Sequence, residues 1–305
     1  MQYGTGKGKA LFVALLSCGH QLAPVLTIPS AAVFCESSMG WQGVYCLSAS
    51  VTVIAVFVFF LIYRDVGTKT KTGSTSDCEV IEEKVKTTQS RRPPYLAIFT
   101  TPAVWGLICT GVADALAYLI FYFYGPIYVN KVLHFEVKQT GIMAAVPYLI
   151  SIISKIVVGL FVHKTKLKDS PKAVFITKVV MQAILTGNFV VLLTLGSDSP
   201  GAAEALIVAA VVLSGLHYFL ILMASQIVAQ QYTHIISSSM AAFDGVCGLL
   251  LPVFVSTLAP NHTAEEWSHV FYCVIAFLTI TNILFMVLTR LRPADWTKEE
   301  QSPET

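Results

Sequence analysis

Eight stretches of roughly twenty or more residues, at about 10–34, 42–63, 102–126, 141–162, 174–195, 203–228, 235–258 and 268–289, are apolar almost from end to end. An α-helix rises about 1.5 Å per residue and the hydrocarbon layer of a bilayer is about 30 Å thick, so each stretch is long enough to cross it. The fold class expected is therefore an all-α polytopic membrane protein with eight transmembrane helices. Composition agrees: 55% of residues are hydrophobic and 12% charged, against about one quarter charged in soluble domains. Pro24, Pro29, Pro147, Gly215 and Pro252 fall inside these stretches, where neighbouring helices can satisfy the backbone groups they free. Residues 1–9 (MQYGTGKGK) lack the ordered basic, apolar and cleavage sections of a secretory signal, and the first apolar stretch runs past signal length, so it reads as a span.

Several function classes are excluded. A formal net charge of +2 gives no footprint for nucleic acid, and the seven cysteines are scattered without paired metal-site or thioredoxin-like spacing. No Walker loop, dinucleotide fingerprint or ordered nucleophile and base occurs, so direct ATP drive, a cofactor and enzymatic catalysis are not expected.

Charge placement sets the orientation. With the N-terminus cytoplasmic, sixteen of the twenty Lys and Arg fall in inside segments and only Lys131 and Lys138 outside, with Lys155 and Lys178 within spans. This asymmetry is the positive-inside pattern of an even number of spans with both termini cytoplasmic. The 64–98 segment, rich in Thr, Ser, Lys and Glu, is too polar to insert and too poor in apolar residues to form its own core. Asn261-His262-Thr263 falls in the last outside loop and makes Asn261 a candidate N-glycosylation site.

The few ionisable residues inside the spans are the candidates for function. Asp114 lies about twelve residues into the third span, where an unpaired carboxylate costs several kcal/mol, so it should face protein or water. Asp244 in the seventh span and Lys155 in the fourth reach overlapping depths, which permits a Lys155 pair with Asp114 or Asp244. The plainer reading has Lys155 snorkelling to the headgroups and Asp244 capping an irregular turn. His20 and His217 carry imidazoles suited to an anion or a proton relay, or simply hydrogen-bonded between helices. Tyr118 shares a face with Tyr122 and lies one turn from Asp114, so it lines the same route or belongs to an aromatic belt. Glu204 and Lys178 are expected at the interfaces. Small residues recur in the first span and again in the seventh, from Ser237 to Gly248, and permit close helix contact.

Three stretches carry a family resemblance. Gly40-Trp41-Gln42-Gly43-Val44-Tyr45 is similar to a G-W-x-x-V-F motif. Phe99-Thr100-Thr101-Pro102-Ala103-Val104-Trp105, followed by Gly125-Pro126-Ile127-Tyr128 and the run from Gly141 to Leu149, resembles a helix pair with a G-x-x-x-A-x-P-Y-L pattern. Gly248 to Pro252 and Glu265-Glu266-Trp267-Ser268-His269-Val270-Phe271 resemble a penultimate helix and an E-W-x-x-V-F helix start. Together they resemble the anion/cation symporter family of the major facilitator superfamily, the group of sodium/phosphate, sialic-acid and vesicular glutamate transporters.

The resemblance implies a twelve-helix plan in two six-helix halves, of which this chain would hold helices five to twelve and lack the first four, as a fragment or alternative product. It implies a two-helix remnant of the N-terminal half (1–63), a cytoplasmic linker (64–98), a C-terminal six-helix half (99–292) and a cytoplasmic tail (293–305). Asp114 stands where some members carry arginine, Ala224 to Gln230 lacks the histidine and aspartate of an N-H-L-D-I-A-P motif, and His163 replaces the acid of a G-x-x-x-D-R turn. The function implied is secondary transport of a small organic or inorganic anion by alternating access, coupled to Na⁺ or H⁺, in a plasma or intracellular vesicle membrane. The partners expected are the solute, the lipid bilayer and the missing four-helix segment or a full-length carrier. The alternative is a non-transporting membrane protein that binds or regulates such a carrier.

Overall fold

The computed structural model describes residues 9–62, 93–165, 170–195 and 199–297. Most of the 64–98 linker and the end of the tail lie outside them, and so does the side chain of His20. The described residues form helices and no strand: α1 (Lys9–Glu36), α2 (Gly40–Ile62), the short α3 (Tyr95–Thr100), α4 (Pro102–Lys131), α5 (Val137–Thr165), α6 (Pro171–Leu195), α7 (Pro200–Ala229), a 3-10 turn at Gln230–Tyr232, α8 (Thr233–Leu258) and α9 (Ala264–Leu288). Six helical runs are long and apolar enough to cross a membrane, one of which, Pro200–Leu258, joins α7 and α8 through the 3-10 turn. The chain is an all-α, multi-pass membrane protein.

Local chemistry sets the helix ends. Pro102 and Pro200 open α4 and α7, where the missing N–H would have no partner in any case. Thr263 and Glu266 form a reciprocal capping box at the start of α9. Gln230, with φ at 44°, takes a left-handed backbone that ends α7 and lets α8 begin. Pro24, Pro29, Pro126, Pro147 and Pro252 remain inside helices.

Helix α4 is central, packed against α5, α7, α8 and α9, while α6 packs on α7 and α9. Helix α1 lies along α5, with α2 against it, and the crossing is close because Gly141 of α5 meets Ala32 of α1 where any side chain would collide. Helix α2 is apolar and exposed along its length, as a lipid-facing helix should be.

The buried apolar residues fall into two clusters. One, toward the α9 N-terminus, contains Tyr118, Phe121, Phe189, Val211, Trp267 and Phe271. The other, toward the α9 C-terminus, contains Leu107, Ile108, Ile221, Met240 and Phe285. Between them, at Thr110, Asp114, Lys178, Gln182, His217 and Thr281, runs a layer of buried polar side chains.

Candidate functional site

Asp114 lies twelve residues beyond Pro102, about 18 Å along α4 and therefore near the middle of a membrane-length helix. Its Oδ1 is 2.9 Å from Nδ1 of His217 on α7, and both side chains are buried, at 4% and 0% exposed. The direct partner of Asp114 is thus His217, a pairing that joins two residues each named separately as candidates. Asp114 is also within electrostatic reach of Lys178 and of Asp244.

Beside this pair is a hydrogen-bonded hub. The Thr110 hydroxyl donates to Oε1 of Gln182 at 2.8 Å, and the Lys178 ammonium donates to the same oxygen. The Gln182 amide nitrogen donates to the Leu278 carbonyl at 3.0 Å and to Thr281 Oγ1 at 3.1 Å. Lys178 also sits 3.8 Å from the centre of the Phe285 ring, a favourable place for a cation. Lys178 was expected at the inner interface, but its side chain is fully buried. Helix α6 begins at Pro171, before the apolar stretch does, so Lys178 lies two turns in, and its ammonium points along the helix to Gln182.

A second polar group lies on another face of α7. Tyr148, Ser151 and Lys155 are spaced three and four residues apart, which aligns them on one stripe of α5. All three are buried. A methyl group at Gly215 of α7 would come within 2.8 Å of Ser151 Oγ and 3.0 Å of Lys155 Cε, so the absence of a side chain there makes room for the lysine. Gly215 and His217, two residues apart, diverge by about 160° around α7, which separates this seam from the Asp114 pair. Tyr118 bridges them: it stands one turn from Asp114, packs edge-on against Tyr148 with centroids 6.0 Å apart, and stacks on Tyr122 at 5.8 Å.

The hydrogen bonding of the seam differs from that of the hub. Tyr148 Oη, Ser151 Oγ, Ser214 Oγ and Gln21 Oε1 are buried with no hydrogen-bond partner among the described residues. Gln21 precedes Ala32 on α1 by eleven residues and Ser151 follows Gly141 on α5 by ten. Because Ala32 and Gly141 are in contact and alternate spans run in opposite directions, Gln21 lies at the depth of Ser151. An ammonium beside hydroxyls that can donate is a set of ligands for a carboxylate or phosphate, while the Gln21 amide oxygen can accept from water or from a donor on the solute.

The remaining expected sites are distributed more widely. Asp244 lies within α8, not at an irregular turn, partly buried and with Oδ1 unpartnered among the described residues. The histidine at position 20 belongs to α1, its side chain outside the described residues. Asn261 is exposed just before α9, where its amide donates to Glu266 Oε1 at 2.8 Å and the sequon threonine, Thr263, serves as the N-cap.

The hub was missed in the sequence because Thr110, Gln182 and Thr281 are uncharged and ordinary singly. The available signal was a polar residue every fourth position inside an apolar helix, as in Thr110/Asp114, Lys178/Gln182 and Ser151/Lys155.

Relatives of the chain are transporters rather than enzymes. It is 25% identical to "Uncharacterized transporter slc-17.3" of Caenorhabditis elegans, an alignment covering 97% of this chain and 57% of the relative. It is 21% identical to vesicular glutamate transporter 2 of Bos taurus over 94% of this chain and 50% of that protein, and 20% identical to human sialin over 94% and 59%. The chain thus spans between half and three-fifths of the length of these curated relatives. Residues 5–254 match the Major Facilitator Superfamily, and the chain belongs to that superfamily.

Proposed function

We propose that the chain is the carrier portion of a secondary transporter for a small organic or inorganic anion, working by alternating access with Na⁺ or H⁺ as the coupling ion. The observation that carries this reading is the seam beside Lys155, in which Gln21 Oε1, Tyr148 Oη, Ser151 Oγ and Ser214 Oγ are buried without a hydrogen-bond partner among the described residues. In a hydrocarbon setting each buried polar group without a partner costs several kcal/mol, so a row of them is retained where water or a solute runs. Lys155 is the group that meets the anion, and Gly215 keeps room for it. Asp114 and His217, in the layer behind Tyr118, are the groups that respond to the coupling ion. The names of the relatives, among them a glutamate transporter and sialin, support an anion as the solute class.

In this reading the eight long helices are eight spans and correspond to helices five to twelve of the family plan, with both termini cytoplasmic and the membrane plasma or vesicular. Residues 1–63 are then the remnant of one half, 64–98 the linker, 99–292 the other half and 293–305 the tail. Purified full chain in proteoliposomes, offered labelled glutamate, phosphate or sialic acid under imposed Na⁺ and pH gradients, tests it. Gradient-driven uptake that falls in Lys155→Gln, with Asp114→Asn losing the dependence on the gradient, supports the proposal. Uptake unchanged by both substitutions ends it.

One observation favours a second reading, in which the chain pairs with or regulates a full-length carrier. The small-residue face of α8, including Ala241, Ala242 and Gly245, is exposed, and small residues at a membrane helix surface suit close contact with another helix. No uptake by the purified chain, together with a stably copurifying carrier, selects this reading.

A further inference from the structure

At the end of the bundle where α6 begins and α9 ends, a groove of about 260 Å³ opens to the surface, lined by Lys172, Phe175 and Ile176 on α6 and by Thr289, Arg290 and Leu291 after α9. Lys172 and Arg290 are exposed and come from separate parts of the chain. Nothing in the transport reading uses them. Both stand at the level where the membrane helices end, and the first turn of α6 adds the positive end of its dipole.

Immediately along α6 from the groove, Ile176, Val180 and Ile184 are 61%, 49% and 50% exposed. Their four-residue spacing makes a continuous aliphatic stripe about 12 Å long that descends from the groove into the hydrocarbon region. A basic mouth continuous with an aliphatic track has the charge and shape of a two-part ligand, anionic at one end and acyl at the other.

We propose that this groove binds the headgroup of an anionic phospholipid, with the phosphate between Lys172 and Arg290 and an acyl chain along Ile176, Val180 and Ile184. Free inorganic phosphate shares the headgroup chemistry but has no use for the stripe, which is why the lipid is the better fit. By the positive-inside distribution the groove faces the cytoplasmic leaflet, where anionic lipids are concentrated. The floor of the groove, Phe175, stacks on Phe285 with centroids 5.3 Å apart, and the Phe285 ring also receives the Lys178 ammonium. A single aromatic pair therefore separates the groove from the buried polar layer.

The test is photolabelling of the full chain in nanodiscs with photoactivatable phosphatidylserine, and with photoactivatable phosphatidylcholine as the zwitterionic reference. The serine lipid is expected to label peptides containing residues 171–184 about tenfold more than the choline lipid. Lys172→Gln with Arg290→Gln is expected to reduce that labelling to the choline level while leaving the chain monodisperse, since both side chains are exposed. A control with Lys164→Gln and Arg292→Gln removes the same charge from outside the groove and is expected to retain it. Equal labelling by the two lipids, or equal loss in the control, overturns the site. Suppression of labelling by excess inorganic phosphate overturns the lipid assignment and gives the groove to free phosphate.

Discussion

Two parts of this bundle are equally dry and equally polar, yet their hydrogen bonding is opposite. In the hub shared by α4, α6 and α9, Thr110, Lys178 and Thr281 all converge on Gln182, whose oxygen accepts two bonds and whose nitrogen donates two. In the seam between α1, α5 and α7, Gln21, Tyr148, Ser151 and Ser214 retain hydrogen-bonding atoms without partners among the described residues. A satisfied network in a low-dielectric interior fixes the relative positions of its helices. An unsatisfied one leaves capacity for a solute or water. On the proposed function the hub serves architecture and the seam serves transport, and substitutions in each should give different signatures.

The largest expected effect is in the hub. Gln182→Leu removes the acceptor of the Lys178 ammonium and leaves a buried cation without it, at a cost of about 3 kcal/mol or more. It should appear as a large drop in the thermal midpoint of the detergent-purified chain. Adding Lys178→Met should recover part of that loss, because replacing both members of a buried polar pair by apolar groups costs less than breaking it. If the two substitutions are additive, the hub is not acting as a unit and the contrast with the seam fails.

In the seam the damage should fall on transport. Gly215→Leu places a side chain where Ser151 Oγ and Lys155 Cε now stand, and uptake is expected to be abolished. Lys155→Gln, which removes a charge-assisted contact to an anion, is expected to lower uptake about tenfold, and Lys155→Arg to retain more than glutamine does. A fall in thermal midpoint as large as that of Gln182→Leu would place Lys155 in the architecture instead and erase the distinction.

How far the sequence revealed this depended on the range of the interaction. The long helices were legible because membrane length and apolar content are local properties, and their ends at Lys9–Glu36 through Ala264–Leu288 fall within a few residues of the hydropathy boundaries. Asp114 and His217 were legible as candidates because an ionisable group in an apolar run stands out. Their pairing was not, since it depends on which faces of α4 and α7 meet across a hundred residues of chain. Lys178 was expected at the inner interface because hydropathy began its span three residues late, and its burial against Gln182 and Phe285 depends on how α6 packs on α4 and α9. Gly215 was noted only as a helix irregularity. Its role beside Lys155 exists only once α5 packs on α7.

The finest test of the contrast compares single hydroxyls of similar burial. Thr110 Oγ1 donates to Gln182, so Thr110→Val removes a made bond and leaves an oxygen with one donor fewer, costing about 1 kcal/mol. Ser151 and Ser214 are as deeply buried but their hydroxyls have no partner to lose among the described residues, so alanine at either should change stability by less than about 0.5 kcal/mol. Uptake should move the other way, reduced severalfold by the serine substitutions and only in proportion to folded protein by Thr110→Val. The crossing of these two effects is the informative result, because side chains of matched depth differ only in whether the fold already uses them. Equal stability costs at all three positions would mean that the seam hydroxyls are held by the bundle after all, and its claim to a solute would lapse.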